Sequence, residues 1–172
     1  GEFLDQQFKE SIYVKESDCY LLKKDELFEY QICSSKDLIK RTTPVVAQWN
    51  GYSLYEENNK MGIINKMGEK SKAAFPKVLF LNYVPQPKTL FKYYLSTKSE
   101  RNGLIDFEGN VVVEAEKYDD IRPISKSEIG LHYPNNEFTA EEISYIFACT
   151  EKSDSEYDII DYISLNGRKI AT

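Results

Sequence analysis

Apolar and polar positions alternate with a period of two along most of this chain, in short runs cut by turn residues, and such alternation predicts half-buried β-strands. Ile12, Val14, Cys19 and Leu21 begin the pattern, and Leu27, Tyr30 and Ile32 continue it. The run Tyr20–Leu22 meets a polar turn at 23–26 and then the apolar pair Leu27-Phe28, while residues 34–40 read as loop. Pro44–Trp49 predicts a strand ending at Asn50-Gly51, a strong turn dipeptide. Further strands follow at Tyr52–Tyr55, Met61–Ile64, Phe75–Leu81 and Leu90–Leu95, with Pro85-Gln86-Pro87 as a firm break. Leu104-Ile105 and the β-branched run Val111–Val113 flank Phe107-Glu108-Gly109-Asn110, which predicts a hairpin. Tyr118–Ile121 reads as a second turn, and Pro123 forbids a central-strand position.

One segment carries both periods. Thr139-Ala140-Glu141-Glu142 has capping-box spacing, and Ile143, Ile146 and Phe147 follow at i, i+3 and i+4, as a helix requires. Ile143–Cys149 is also rich in strand-forming residues, so helix and strand stand even there. Residues 125–137 and 152–156 read as loop, and Ile159–Leu165 as the last strand before Asn166-Gly167.

The pattern repeats. Gly103-Leu-Ile-Asp-Phe-Glu-Gly109 overlays Gly62-Ile-Ile-Asn-Lys-Met-Gly68, and Asp161-Tyr-Ile-Ser-Leu-Asn-Gly167 matches from its second position. Cys19-Tyr-Leu-Leu-Lys-Lys-Asp25 is a weaker copy, with Asp25 at the turn, a residue that tolerates the left-handed conformation. The turn residues fall at 25, 68, 109 and 167, so the spacings are 43, 41 and 58. The excess in the last marks residues 126–156 as an insertion in a regular array. Residues 103–121 closely resemble the unit of the WG-repeat family, which reads Trp-Gly, two apolar residues, Asp, two polar residues, Gly, a β-branched run and Tyr-Asp-x-Ile. Asn102 and Met61 stand where that unit has Trp. The resemblance implies short antiparallel β units stacked as a scaffold or interaction surface, with no catalytic residues to carry over. The expected architecture is therefore mainly β, in antiparallel strands and hairpins, about four degenerate WG-like units with at most one or two short helices. As domains, the expectation is a single one over 1–172, with units near 12–50, 51–95, 96–125 and 157–172.

Charge and cysteines narrow the function. The net charge of −6 argues against nucleic acid as a partner. Between Glu137 and Asp161 eight acids face Lys152 alone, which leaves −7 there and +1 on the rest of the chain. No stretch approaches the roughly 18 apolar residues of a membrane span. Cys19, Cys33 and Cys149 show no CxxC spacing, so three reduced, inert thiols in a cytoplasmic setting are the simplest expectation.

Candidate chemistry is thin. His132 has no Ser or Cys placed to use it. Asp119-Asp120 could be a catalytic pair, although Asp119 reads more simply as a turn-former bonding its own backbone. Residues 154–158 alternate oxygen ligands but lack the Gly and closing Glu of a calcium loop. No enzyme activity, metal or cofactor is expected. The acidic segment is the candidate partner-binding surface, with Glu137, Glu141, Glu142, Tyr145, Glu151, Asp154, Glu156, Tyr157 and Asp158 as contact residues. Its partner would be another protein, most simply a basic one, with the chain acting as a bacterial immunity protein that neutralises a nuclease-type toxin. The alternative expectation is a WG-repeat scaffold or peptide-binding module, a fragment of a longer array.

Overall fold

In the computed structural model the described residues are 8–81, 89–124, 146–153 and 157–172. They form fifteen strands and no helix, all paired antiparallel, as the alternation predicts. The chain divides into two compact units, 1–75 and 76–172.

The first unit holds two sheets. β1 (Glu10–Val14), β2 (Cys19–Lys23), β3 (Phe28–Ile32) and β4 (Leu38–Val45) pair in chain order. β5 (Ala47–Trp49), β6 (Tyr52–Glu57) and β7 (Lys60–Ile64) form the second sheet. Leu21, Phe28 and Val45 of the first sheet pack with Tyr55 and Ile64 of the second in one core. β4 takes the last three residues, 38–40, of the expected loop at 34–40. Leu38 and Ile39 pair with Ile32 and Gln31 although both are exposed, because an edge strand needs backbone partners and not a buried face.

The second unit repeats the scheme. β8 (Lys77–Phe80), β9 (Phe91–Tyr94), β10 (Gly103–Ile105) and β11 (Val111–Val113) form one sheet. β12 (Asp120–Ile124), β13 (Ile146–Glu151), β14 (Ile159–Ser164) and β15 (Lys169–Ala171) form the other. Pro123 lies on β12, an edge strand, where its missing N–H breaks no interior ladder. Leu104, Val113, Tyr118, Ile121, Phe147 and Ile163 meet in the unit's main core. Ile146 and Ala148, on the other face of β13, belong to a second cluster with Ile124.

That double burial explains why 146–151 is strand. A capping box contributes about 1 kcal/mol. Pairing β13 on both sides and burying Ile146, Phe147, Ala148 and Cys149 contributes several times more, at about 1.5–3 kcal/mol per large apolar side chain. β13 is thus the counterpart of β9, and the extra length of the fourth sheet falls between β12 and β13.

Three turns share one bonding scheme. Asn65, Asp106 and Ser164 each accept, on the backbone carbonyl, the N–H of the glycine three residues on, at 3.0, 3.1 and 2.9 Å. Each donates its own N–H to the carbonyl four residues on, at 2.9, 3.1 and 2.8 Å. Each side-chain oxygen then accepts the N–H of that same fourth residue, Glu69, Asn110 or Arg168, at 2.9, 2.9 and 3.1 Å. Gly68, Gly109 and Gly167 take φ of 83°, 87° and 81°, left-handed values that cost other residues energy. In the first sheet Asp25 does not take that conformation. Lys36 does, at φ 62°, with its N–H on the Cys33 carbonyl at 2.9 Å. The matching turn there follows the third strand, as in the other sheets, and not the second.

The expectation of three free thiols is corrected. Cys19 and Cys33 form a disulfide, and Cys149 is free and buried. The β2–β3 register sets Tyr20 against Ile32, so the residues one step outward, Cys19 and Cys33, face each other with Cα atoms 4.1 Å apart. A separation of 14 residues carries no such signal by itself. Disulfides persist in oxidising compartments, so the bridge removes the reduced-thiol argument for a cytoplasmic setting.

Candidate functional site

The end of the fourth sheet gathers most of what can be seen of the expected binding surface. Glu151 closes β13 and stands opposite Ile159, the first residue of β14. Tyr157 is 75 % exposed and Ile159 46 % exposed. Asp158 accepts the Ser153 N–H at 3.4 Å. Glu151, Tyr157 and Asp158 therefore sit at one hairpin end, with an aromatic ring and an aliphatic side chain set among carboxylates. Glu137, Glu141, Glu142, Tyr145, Asp154 and Glu156 lie outside the described residues, as does His132.

Asp119 and Asp120 border this end. The Asp119 N–H donates to the Thr150 carbonyl at 2.8 Å, and its carboxylate accepts the Lys152 N–H at 2.9 Å. Asp119 thus closes the β12–β13 ladder instead of capping its own turn. The Lys152 N–H, helped by Arg101 at 3.4 Å, holds the Asp119 carboxyl below its ordinary value. Asp120 has a separate base, Lys92, at 3.7 Å. Asp119 and Asp120 are neighbours at the head of one strand, point to opposite faces and hold separate partners, Lys152 and Arg101 for the first and Lys92 for the second.

A second charged centre was hidden in the acidic count. Asp161, in the middle of β14, is fully buried. Its carboxylate accepts hydrogen bonds from Lys117 at 2.6 Å, Tyr118 at 2.7 Å and Thr172 at 2.9 Å, and pairs with Lys169 at 2.7 Å. Burial alone would raise its pKa, but these four partners outweigh burial and hold it well below the carboxylate range. Tyr118 is pushed up to about 12 by burial and by its bond to Asp161. Cys149, directly across the ladder from Asp161, is pushed up to about 12 by burial, so its thiol is unreactive near neutral pH. Asp161 is therefore structural and adds nothing to the acidic surface. Its one signal in the sequence is the strand pattern Ile159-Ile160-Asp161-Tyr162-Ile163, which sets a carboxylate on the same face as Ile163.

Among the described residues no group of three or more His, Cys, Asp or Glu side chains could hold a metal ion. Comparison with known proteins finds no matching family model, curated protein or solved structure.

Proposed function

We propose that this chain is a non-catalytic, protein-binding protein built from degenerate WG-like units, and that it neutralises a nuclease-type bacterial toxin as its immunity protein by covering the toxin's active site. The exposed Tyr157 and Ile159, set between Glu151 and Asp158, carry the reading. An exposed aromatic ring is a suitable anchor at the centre of an interface. Carboxylates around it attract a basic partner and speed the encounter. The shared bonding of the turns at Asn65, Asp106 and Ser164 supports the repeat part of the proposal. Mixing the chain with a basic nuclease toxin domain encoded beside it tests the reading. The expected result is a complex at micromolar concentration with nuclease activity lost, and weakened by Tyr157→Ala. No complex at that concentration overturns it.

A further inference from the structure

The first unit contains a cleft lined by none of the residues in the proposed partner-binding set. β3, β4 and the turn after β7 line it, and it encloses about 330 Å3. Its wall carries three cations, Lys40, Arg41 and Lys70, and no acid among the described residues. That is an unusual place for positive charge in a chain of net charge −6.

Arg41 lies at the centre, half-buried. Its Nη1 donates to the Gln31 side-chain oxygen at 2.7 Å and its Nε to the Thr43 carbonyl at 3.2 Å, so its direction is set from within the sheet. A guanidinium has five N–H donors and no acceptor. These bonds engage two of them, and no carboxylate partners Arg41 among the described residues. Burial pulls the Arg41 pKa below its ordinary value, as expected for a cation without a counter-charge. Lys70 rests over the ring of Tyr55 at 4.9 Å and makes no ion pair among the described residues, while Lys40 stacks at 6.0 Å on Tyr30, its partner across the ladder, on the face of β4 opposite Arg41. Arg41, Gln31, Ile64 and Gly68 also border an adjoining cleft of about 290 Å3, which carries Glu16 and Lys66 and runs towards Ser17 and Gly51.

The remaining Arg41 N–H groups are not buried without a partner, so they stay open to the cleft, and an oxyanion is the group that their fork geometry fits. We propose that this cleft is an oxyanion-binding site. Arg41 takes the carboxylate or phosphate group of a small ligand through its unspent N–H groups, Lys70 flanks the charge, and the ligand's remainder lies along Ile39 and Ile64. The enclosed volume suits a small molecule, at the lower end of the range for ligand pockets.

Calorimetric titration of the full chain at fixed ionic strength tests this, with inorganic phosphate in one arm and glutarate in the other. Saturable binding is expected in at least one arm, and the tighter arm tells phosphate from carboxylate. Arg41→Gln should weaken it at least about tenfold, the loss of a charge-assisted hydrogen bond. Lys70→Gln, on an exposed side chain, should weaken it about two- to fivefold through the lost flanking charge. That variant carries the test if Arg41→Gln does not fold. Absence of binding in both arms up to about 20 mM, a concentration that detects even millimolar affinity, overturns the proposal. So does unchanged binding in Arg41→Gln, or in Lys70→Gln where Arg41→Gln is unfolded.

Discussion

Tyr93 lies directly across the ladder from Gly103, and its ring occupies the space that a side chain at 103 would need. A Cβ on Gly103 would also meet the Val113 carbonyl. The Tyr93 oxygen accepts the Ala115 N–H at 3.2 Å, so the ring spans one strand and bonds the chain beyond it. Tyr55 and Gly62 repeat the arrangement, with the Tyr55 hydroxyl donating to the Ser71 carbonyl at 2.6 Å. In the fourth sheet the glycine position holds Asp161 and the tyrosine position Cys149. There the Tyr118 hydroxyl reaches the carboxylate instead.

Two kinds of glycine should therefore respond differently to a methyl group. Gly103→Ala forces backbone and ring apart and should cost about 3 kcal/mol, at the upper end for overpacking. Gly109 has open space around its Cβ direction, so Gly109→Ala should cost only the left-handed conformation, about 1 kcal/mol. Urea midpoints of the two variants decide the order. Equal losses would show that the Tyr93–Gly103 contact has little weight.

Asp161→Asn should destabilise the fold by about 2–4 kcal/mol at neutral pH, because it removes a buried charge that four partners satisfy. The sign with pH follows from the depressed pKa of Asp161. Its stabilisation is present above the unfolded value near 3.9 and fades as pH falls through the lower folded value. Tyr118 acts at the other end. Its pKa is raised to about 12, so its share is present below the unfolded value near 10 and is lost as pH rises through about 12. Thermal melts should show the Asp161→Asn deficit shrinking in acid below about pH 4. A deficit independent of pH would mean that packing, not charge, carries the effect.

Thiol titration checks the cysteine arrangement. The native chain should show no fast thiol, since Cys149 is buried with its pKa raised. Unfolding without reductant should release one thiol, and reduction should release three, because Cys19 and Cys33 are joined. Replacing both by Ala should cost about 3 kcal/mol, the loop-closure contribution for a bridge spanning about 15 residues. Three thiols in the unreduced, unfolded chain would remove the bridge.

Glu141→Lys with Glu142→Lys, in the acidic segment, should leave the fold intact. Binding to a basic partner should weaken mainly through a slower association rate. Glu151→Lys with Asp158→Lys tests the described residues of that segment in the same way. Stopped-flow association in both pairs reads the result, and unchanged rates in both would move the interface elsewhere.

Most strands were legible because burial of one face leaves a period-two trace, as in Ile12, Val14 and Leu21. The turns at Asn65, Asp106 and Ser164 were legible for another reason, since each needs a left-handed residue three places on and glycine supplies it. β4 left no trace. Its side chains at 38–40 are exposed, so nothing selects an apolar pattern there. Of the binding surface, the acidic composition was readable, and only the fold showed that Asp161 is no part of it.

The sequence by itself determined the class of structure and the positions of the Gly-centred turns, because alternation and left-handed turn residues are local demands on the chain. Tertiary structure alone decided that 146–151 is a strand, that Cys19 meets Cys33, that Asp161 is buried among Lys117, Tyr118, Lys169 and Thr172, and that Arg41 lines two adjoining clefts. Each depends on which residues a ladder register or a shared core brings together across tens of positions, and no local pattern encodes that pairing.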